Sequence, residues 1–196
     1  MVMSAPMREG SRLDDLRFAD AATASQPVIP TDRFVLRPLR PSDAGLIAHY
    51  TGDIRVARGT RAIPHPLPPR ASESFVARAL DTARDEDVWA IDGSAHNLAE
   101  LLGVVSLTRM EGDQSELGFW IGAGFWNTGF ATEAVAALVA ANPHKARTLF
   151  AEAFQDNPGS ARVLTNCGFA YLGDAESWSV ARGARVPTWT YLRKMA

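Results

Sequence analysis

The sequence predicts a mixed α+β domain. Strand-like and helix-like stretches alternate along the chain in an order that neither an all-helical nor an all-strand fold produces. Three short strand-like runs in the middle are joined by turn signals too short for a crossover, which predicts an antiparallel meander. The 196 residues, 46% hydrophobic and 21% charged, are globular values that suit one packed domain.

Residues 1–27 are rich in Ala, Ser, Asp and Arg and weakly periodic. They read as an N-terminal extension of flexible character, with a short helix around Leu13 to Phe18. Residues 28–196 read as a single domain. Phe34 to Leu39 is strand-like, and Pro41-Ser42-Asp43 starts a helix with Ser42 as N-cap and Asp43 in the first turn. That helix runs to about Tyr50 and stops near Thr51-Gly52. The proline-rich Ile63 to Pro69 can be neither helix nor central strand. Ser72 then caps a helix whose apolar positions are Phe75, Val76, Ala79, Leu80 and Ala83.

Val88 to Ile91, Leu101 to Thr108 and Glu116 to Ile121 form the meander. A helix with Ala131, Ala134, Val135, Leu138 and Val139 on one face follows. A strand (Thr148 to Ala153), a short helix (Pro158 to Asn166), a strand (Ala170 to Leu172) and a last strand (Thr188 to Arg193) complete the order.

Composition narrows the function. With 20 Lys+Arg against 22 Asp+Glu, the net charge of −2 excludes a generally basic nucleic-acid binder. A single cysteine makes no internal disulfide, so the chain reads as cytoplasmic. No apolar run approaches the roughly 20 residues that span a bilayer, and no secretory-type stretch opens the chain. Four scattered histidines show no ligand spacing, so no metal is expected.

Chemistry concentrates in Glu116 to Glu133, a strand, a glycine-bearing loop and an amphipathic helix. Amides in a first helical turn lack intrahelical partners and carry the positive end of the dipole, which suits a phosphate. Gly129 lets the backbone approach such an anion closely. An ordinary strand-to-helix loop would look the same. In Asn157 to Phe169, Asn157 is a strong N-cap, Pro158 sits at the first helical position and Gly168 belongs at a left-handed C-terminal cap. Ser160 falls in the first turn, free either for local capping or to face whatever lies at the helix start.

Together these segments resemble the GNAT superfamily of N-acetyltransferases, and within it the RimJ/RimL-type branch. That branch reads roughly E-L-G-Y-W-I-G-x-x-x-W-G-K-G-Y-A-T-E-A, then N-x-x-S-x-R-V-L-x-K-x-G-F. The matches are Glu116-Leu117-Gly118, Trp120-Ile121-Gly122, Trp126, Gly129, Ala131-Thr132-Glu133-Ala134, Asn157, Ser160, Arg162-Val163-Leu164 and Gly168-Phe169. Asp32 to Arg40 with Ser42-Asp43-Ala44, and Val56-Ala57-Arg58 with Thr60 and Ile63 to Pro66, are also typical. The resemblance implies a GNAT fold, a mostly antiparallel central sheet with a splayed strand pair and flanking helices.

It further implies acetyl-CoA as cosubstrate and a primary amine as acceptor, either a protein N-terminus or a small molecule. Phe119, Trp120 and Ile121 would lie along the pantetheine arm. The pyrophosphate would fall on Trp126, Asn127, Thr128, Gly129, Phe130, Ala131 and Thr132, and Asn157, Ser160 and Arg162 would complete the cofactor site. Ser160 is the candidate acid for the departing thiolate, because Leu164 stands where many relatives carry a tyrosine. Glu116 is the candidate base, with a structural ion pair as the other reading. His65 is a candidate for the acceptor site, although a histidine in such a loop is more often simply solvated, and Cys167 reads as core. A homodimer is compatible with the branch. Asn127 and Thr128 depart from the frequent Gly and basic residue, so the loop lacks its own cation. Binding would rest mostly on backbone amides and the helix dipole, with Arg162, Lys145 or Arg147 as candidate cations nearby. That departure leaves a non-catalytic acyl-CoA sensor as the rival reading.

Overall fold

The structure is a computed structural model that describes residues 26–195; the helix expected at Leu13 to Phe18 lies outside them. A single eight-stranded sheet runs in the order β1-β2-β3-β4-β5-β6-β8-β7. Its strands are β1 (Ile29–Pro30), β2 (Val35–Pro38), β3 (Glu86–Asp92), β4 (Gly103–Met110), β5 (Gln114–Ile121), β6 (Thr148–Phe154), β7 (Ala170–Ser179) and β8 (Ala184–Lys194). Every neighbouring pair is antiparallel except β5 and β6. The meander β3-β4-β5 forms as expected.

Helices cover both faces. On one side α1 (Ala44–Thr51), α2 (Ile54–Ala57) and α3 (Ala71–Leu80) lie near a small core of Leu39, Ile47, Val76, Val88 and Leu101. On the other, α4 (Phe130–Ala141) and α5 (Pro158–Asn166) close a larger core that contains Phe34, Trp89, Leu107, Leu138, Leu149 and Leu164. The α4 face Ala134, Val135, Leu138 and Val139 is fully buried, and each large side chain so removed from water contributes about 1.5–3 kcal/mol. Among the described residues no helix is long and apolar enough to cross a membrane.

The local signals at α5 hold closely. Asn157 Oδ1 accepts the Ser160 N–H at 3.2 Å, and Gly168 sits at φ 77 with the Phe169 N–H bonded back to the Leu164 carbonyl at 3.0 Å. The two serine caps do not hold. Pro41–Asp43 forms a 3-10 turn, Ser42 is exposed, and Asp43 reaches back to the Arg40 N–H at 2.7 Å. Asp43 is needed elsewhere too: with Asp92 it clasps the buried Arg37 guanidinium at 2.6–2.9 Å, and those contacts raise the affinity of Arg37 for its proton against the opposing effect of burial. Likewise α3 starts from Arg70 in the left-handed region, so Ser72 lies buried inside the helix, and Ala83 falls beyond its end.

The last hairpin is longer than expected. β7 is an edge strand with nearly every side chain exposed, so it shows no alternation that sequence can detect.

Candidate active site

Two features of the sheet create the site. β5 and β6 pair in parallel from Gln114↔Thr148 to Leu117↔Ala151 and then part. Gly118 to Ile121 continues to pair with β4 on its other edge, so backbone groups on its β6 side are left open. This is the expected splay. A cavity of about 260 Å³ opens beside it, touched by Arg61, Glu116, Gly118, Glu152, Ser160 and Thr188 among others. Gly118 lies close to the cavity wall, where a Cβ would come within 2.9 Å of the Ser106 hydroxyl. A neighbouring hollow of about 300 Å³ beside the end of α3 collects Arg78, Arg84 and Glu86, but it touches neither the splay nor α5.

The cavity is charged, and its charges are compensated. Glu116 on β5 and Glu152 on β6 both receive the Arg61 guanidinium, Glu116 in the shorter contact and Glu152 at 3.4 Å. Ser177 also donates to Glu152 at 2.6 Å. Burial pushes the Glu116 carboxyl above its ordinary range, Arg61 opposes that shift and Glu152 reinforces it. A carboxyl so perturbed beside an open cavity is suited to hold a proton temporarily.

Arg61 belongs to a strap between α2 and α3 that is latched to the β7–β8 hairpin. The Val180 N–H donates to the Arg61 carbonyl at 2.9 Å. Arg182 donates to the Arg58 carbonyl at 2.7 Å and to Asp156 at 2.8 Å. At the cavity's edge the Thr188 hydroxyl is buried without a hydrogen-bond partner among the described residues. Such a group is costly unless something arrives to satisfy it.

Ser160 lines the same cavity. Asn157 does the capping, so the Ser160 hydroxyl has no hydrogen bond among the described residues and is free to face the cavity. Arg162 is exposed on α5 and Cys167 is buried, its thiol pushed up by burial.

The loop before α4 fits an anion. Asn127 and Gly129 adopt positive φ values of 62 and 83. Asparagine tolerates this region better than other side chains, so the departure from glycine costs little. The loop is held from within: Trp126 Nε1 donates to the Ile121 carbonyl at 2.8 Å and the Thr128 hydroxyl to the Phe125 carbonyl at 2.6 Å. Among the described residues the N–H groups of Asn127, Thr128, Gly129, Phe130, Ala131 and Thr132 find no acceptor within the chain. These free amides at a helix start are a ready phosphate cradle. Phe119 and Trp120 lie on the open segment of β5 and Ile121 at its buried end.

The candidate residues outside the two motifs lie away from the site. Lys145 and Arg147 follow the C-terminal end of α4, about 18 Å from the cradle at the rise of an α-helix, and Arg147 faces Asp113 at 3.5 Å. His65 is exposed and outside the cavity, which takes Gly59 to Ile63 instead. The histidine with a structural role is His144, whose Nδ1 lies 2.9 Å from the Ser115 hydroxyl and Nε2 2.9 Å from Asp87. That Ser115 is 1% exposed, so the chain Ser115–His144–Asp87 ties the segment after α4 to β3 and β5 and offers no nucleophile. Arg61, Glu152 and Thr188 were missed, since each enters from a different element with no shared motif.

A family model described as an acetyltransferase (GNAT) domain matches residues 33–170. A curated protein of Bacillus licheniformis, the uncharacterized N-acetyltransferase p20, is 22% identical over 172 residues, which is 82% of this chain and 92% of that protein. The microcin C7 self-immunity acetyltransferase MccE, solved with acetyl-CoA and AMP, superposes with a TM-score of 0.74 at 17% identity over 88% of this chain and 99% of that one. RimL, the ribosomal L7/L12 α-N-protein acetyltransferase solved with coenzyme A, gives 0.73 at 17% identity over 86% and 98%.

Proposed function

This chain belongs to the GNAT acetyltransferase family and is by that membership an acetyl-CoA-dependent N-acetyltransferase; we propose that it acetylates a primary amine by direct attack on the thioester. The observation that carries this reading is the meeting of a desolvated Glu116 and an unpartnered Ser160 hydroxyl at one cavity, where β5 and β6 part. Bound acetyl-CoA supplies an activated acetyl group whose leaving group is a thiolate.

The residues of the chain do the rest. The free amides of Asn127 to Thr132 hold the pyrophosphate, and the open edge of Gly118 to Ile121 lies along the pantetheine arm. An N–H near Phe119 or Trp120 polarises the thioester carbonyl. Glu116 accepts the proton that an ammonium must lose before it can attack, directly or through a water. The Ser160 hydroxyl relays a proton to the departing sulfur, regaining one from the nitrogen that has attacked, and the Asn157 amide nitrogen is left free to bond the cofactor near it. Arg61 occupies the two-carboxylate seat that an incoming ammonium would claim, and Thr188 offers the acceptor a waiting hydroxyl.

RimL carries the name of an α-N-protein acetyltransferase and another structural neighbour that of a spermidine N-acetyltransferase, so both acceptor classes belong in the test. The purified chain is incubated with acetyl-CoA and a panel of peptides and small amines, and free thiol is followed. Turnover with at least one amine is expected, reduced on the order of tenfold or more in Ser160→Ala. Tight CoA binding with no turnover on any amine would contradict the reading and favour an acyl-CoA sensor.

A further inference from the structure

The phosphate cradle has an unfavourable feature. Its own loop carries Asn127 and Thr128 with no cation, and the first turn of α4 carries a carboxylate, Glu133. A negative side chain there repels the pyrophosphate that the amides attract. We propose that Arg33, delivered by the turn between β1 and β2, is a positioning residue for the cofactor's pyrophosphate, cancelling Glu133 and aiming the cradle's amides outward.

Arg33 grips Glu133 twice. Its Nε donates to Oε2 at 2.6 Å and its backbone N–H to Oε1 at 3.0 Å. These contacts outweigh the opposing effect of burial and hold the Glu133 carboxyl below its ordinary range. Glu133 is therefore an anion at neutral pH, and Arg33 is the cation beside it. The guanidinium also stacks 4.5 Å from the Phe130 ring centroid, which fixes its plane.

The third contact reaches the loop itself. Arg33 Nη1 donates to the Thr128 carbonyl at 2.9 Å. In a planar trans peptide the carbonyl and the next N–H point in opposite directions. Fastening the Thr128 carbonyl to Arg33 therefore turns the Gly129 N–H away from Arg33, to the side where an anion would sit. Nη2 has no partner among the described residues and lies 3.4 Å from where a Cβ on Gly129 would be, so the guanidinium packs against the loop at Gly129. Nothing in the loop's own sequence replaces it.

The inference rests on acetyl-CoA as cosubstrate, but its test needs no acceptor and no turnover. CoA and pantetheine, which has no phosphate, are titrated calorimetrically into the full chain and its variants. Arg33→Gln is expected to weaken CoA on the order of tenfold or more while pantetheine changes little. Arg33→Gln with Glu133→Gln is expected to recover most of that loss, because the repelling charge has gone. Unchanged CoA affinity in Arg33→Gln, equal weakening of CoA and pantetheine, or no recovery in the double variant would each overturn the proposal. Thermal unfolding confirms that the variants fold. Should Arg33→Gln fail to fold, Arg33→Lys replaces it: the charge remains while the fork to Thr128 is lost, so CoA is expected to weaken only a few-fold, and a loss as large as tenfold would overturn the charge argument.

Discussion

The cofactor cradle and the acceptor cavity meet at the splay of β5 and β6, yet they are built on opposite plans. Most of the cradle comes from one continuous stretch, Trp126 to Thr132, and it works through backbone N–H groups that any side chain supplies. The cavity is made of polar side chains from many elements: Arg61 from the strap, Glu116 from β5, Glu152 from β6, Ser160 from α5 and Thr188 from β8. The first plan tolerates substitution as long as the left-handed turns survive. The second depends on compensation, because three of those five groups are charged and each is partly withdrawn from water. Substitutions should therefore separate the two regions, one changing CoA affinity and the other the acceptor chemistry.

The largest effect is expected on the acceptor side. Glu116→Gln should lower turnover on the order of 10²-fold at neutral pH, with CoA affinity unchanged. The loss should shrink at high pH, where the amine arrives already deprotonated. A matching loss in CoA affinity would mean that Glu116 holds the fold rather than the proton.

On the cradle side, Gly129→Ala places a Cβ on a residue at φ 83. The strain is about 1–2 kcal/mol, so CoA should bind on the order of tenfold more weakly while KM for the amine holds. A change in the amine KM alone would break the division between the regions.

The third expectation concerns compensation itself. Burial raises the Glu116 carboxyl and Arg61 restrains it, so Arg61→Gln should raise it further. A base works only above its own pKa, so the acid limb of the pH–rate profile should move to higher pH. A limb that stays in place would show that Glu116 does not titrate in that profile.

The smallest effect lies outside both regions. Burial keeps the His144 imidazole below its ordinary value, against the pull of Asp87. The folded chain therefore resists a proton that the unfolded chain accepts, and stability falls as the pH drops below about 6.5. The slope is at most about 1.4 kcal/mol per pH unit for one proton. His144→Gln should flatten that decline in thermal midpoint between neutral and mildly acid pH, and an unaltered slope would remove His144 as its source.

The same contrast explains what could be read from the sequence. The meander, α4 and α5 were legible because their signals are local: alternation, a 3.6-residue period, Asn157-Pro158 and Gly168. The splay and the cofactor loop were legible through the resemblance carried by Glu116 to Glu133. Ser42 and Ser72 misled because a serine before an apolar run signals a cap only when no better partner exists, and Asp43 had one in Arg40 and Arg37. The long β7–β8 hairpin was hidden by an edge strand without alternation. Arg33 and Arg61 were illegible as site residues because their partners lie tens of residues away, 95 from Arg33 to Thr128 and 55 from Arg61 to Glu116. No local pattern encodes such a meeting.

Both regions must hold their substrates together if the amine attacks the thioester directly. Initial velocities measured over a grid of acetyl-CoA and amine concentrations test that most plainly. The account predicts lines that intersect in the double-reciprocal plot, the pattern of a ternary complex. Parallel lines, with an acetylated enzyme isolated in the absence of amine, would contradict it.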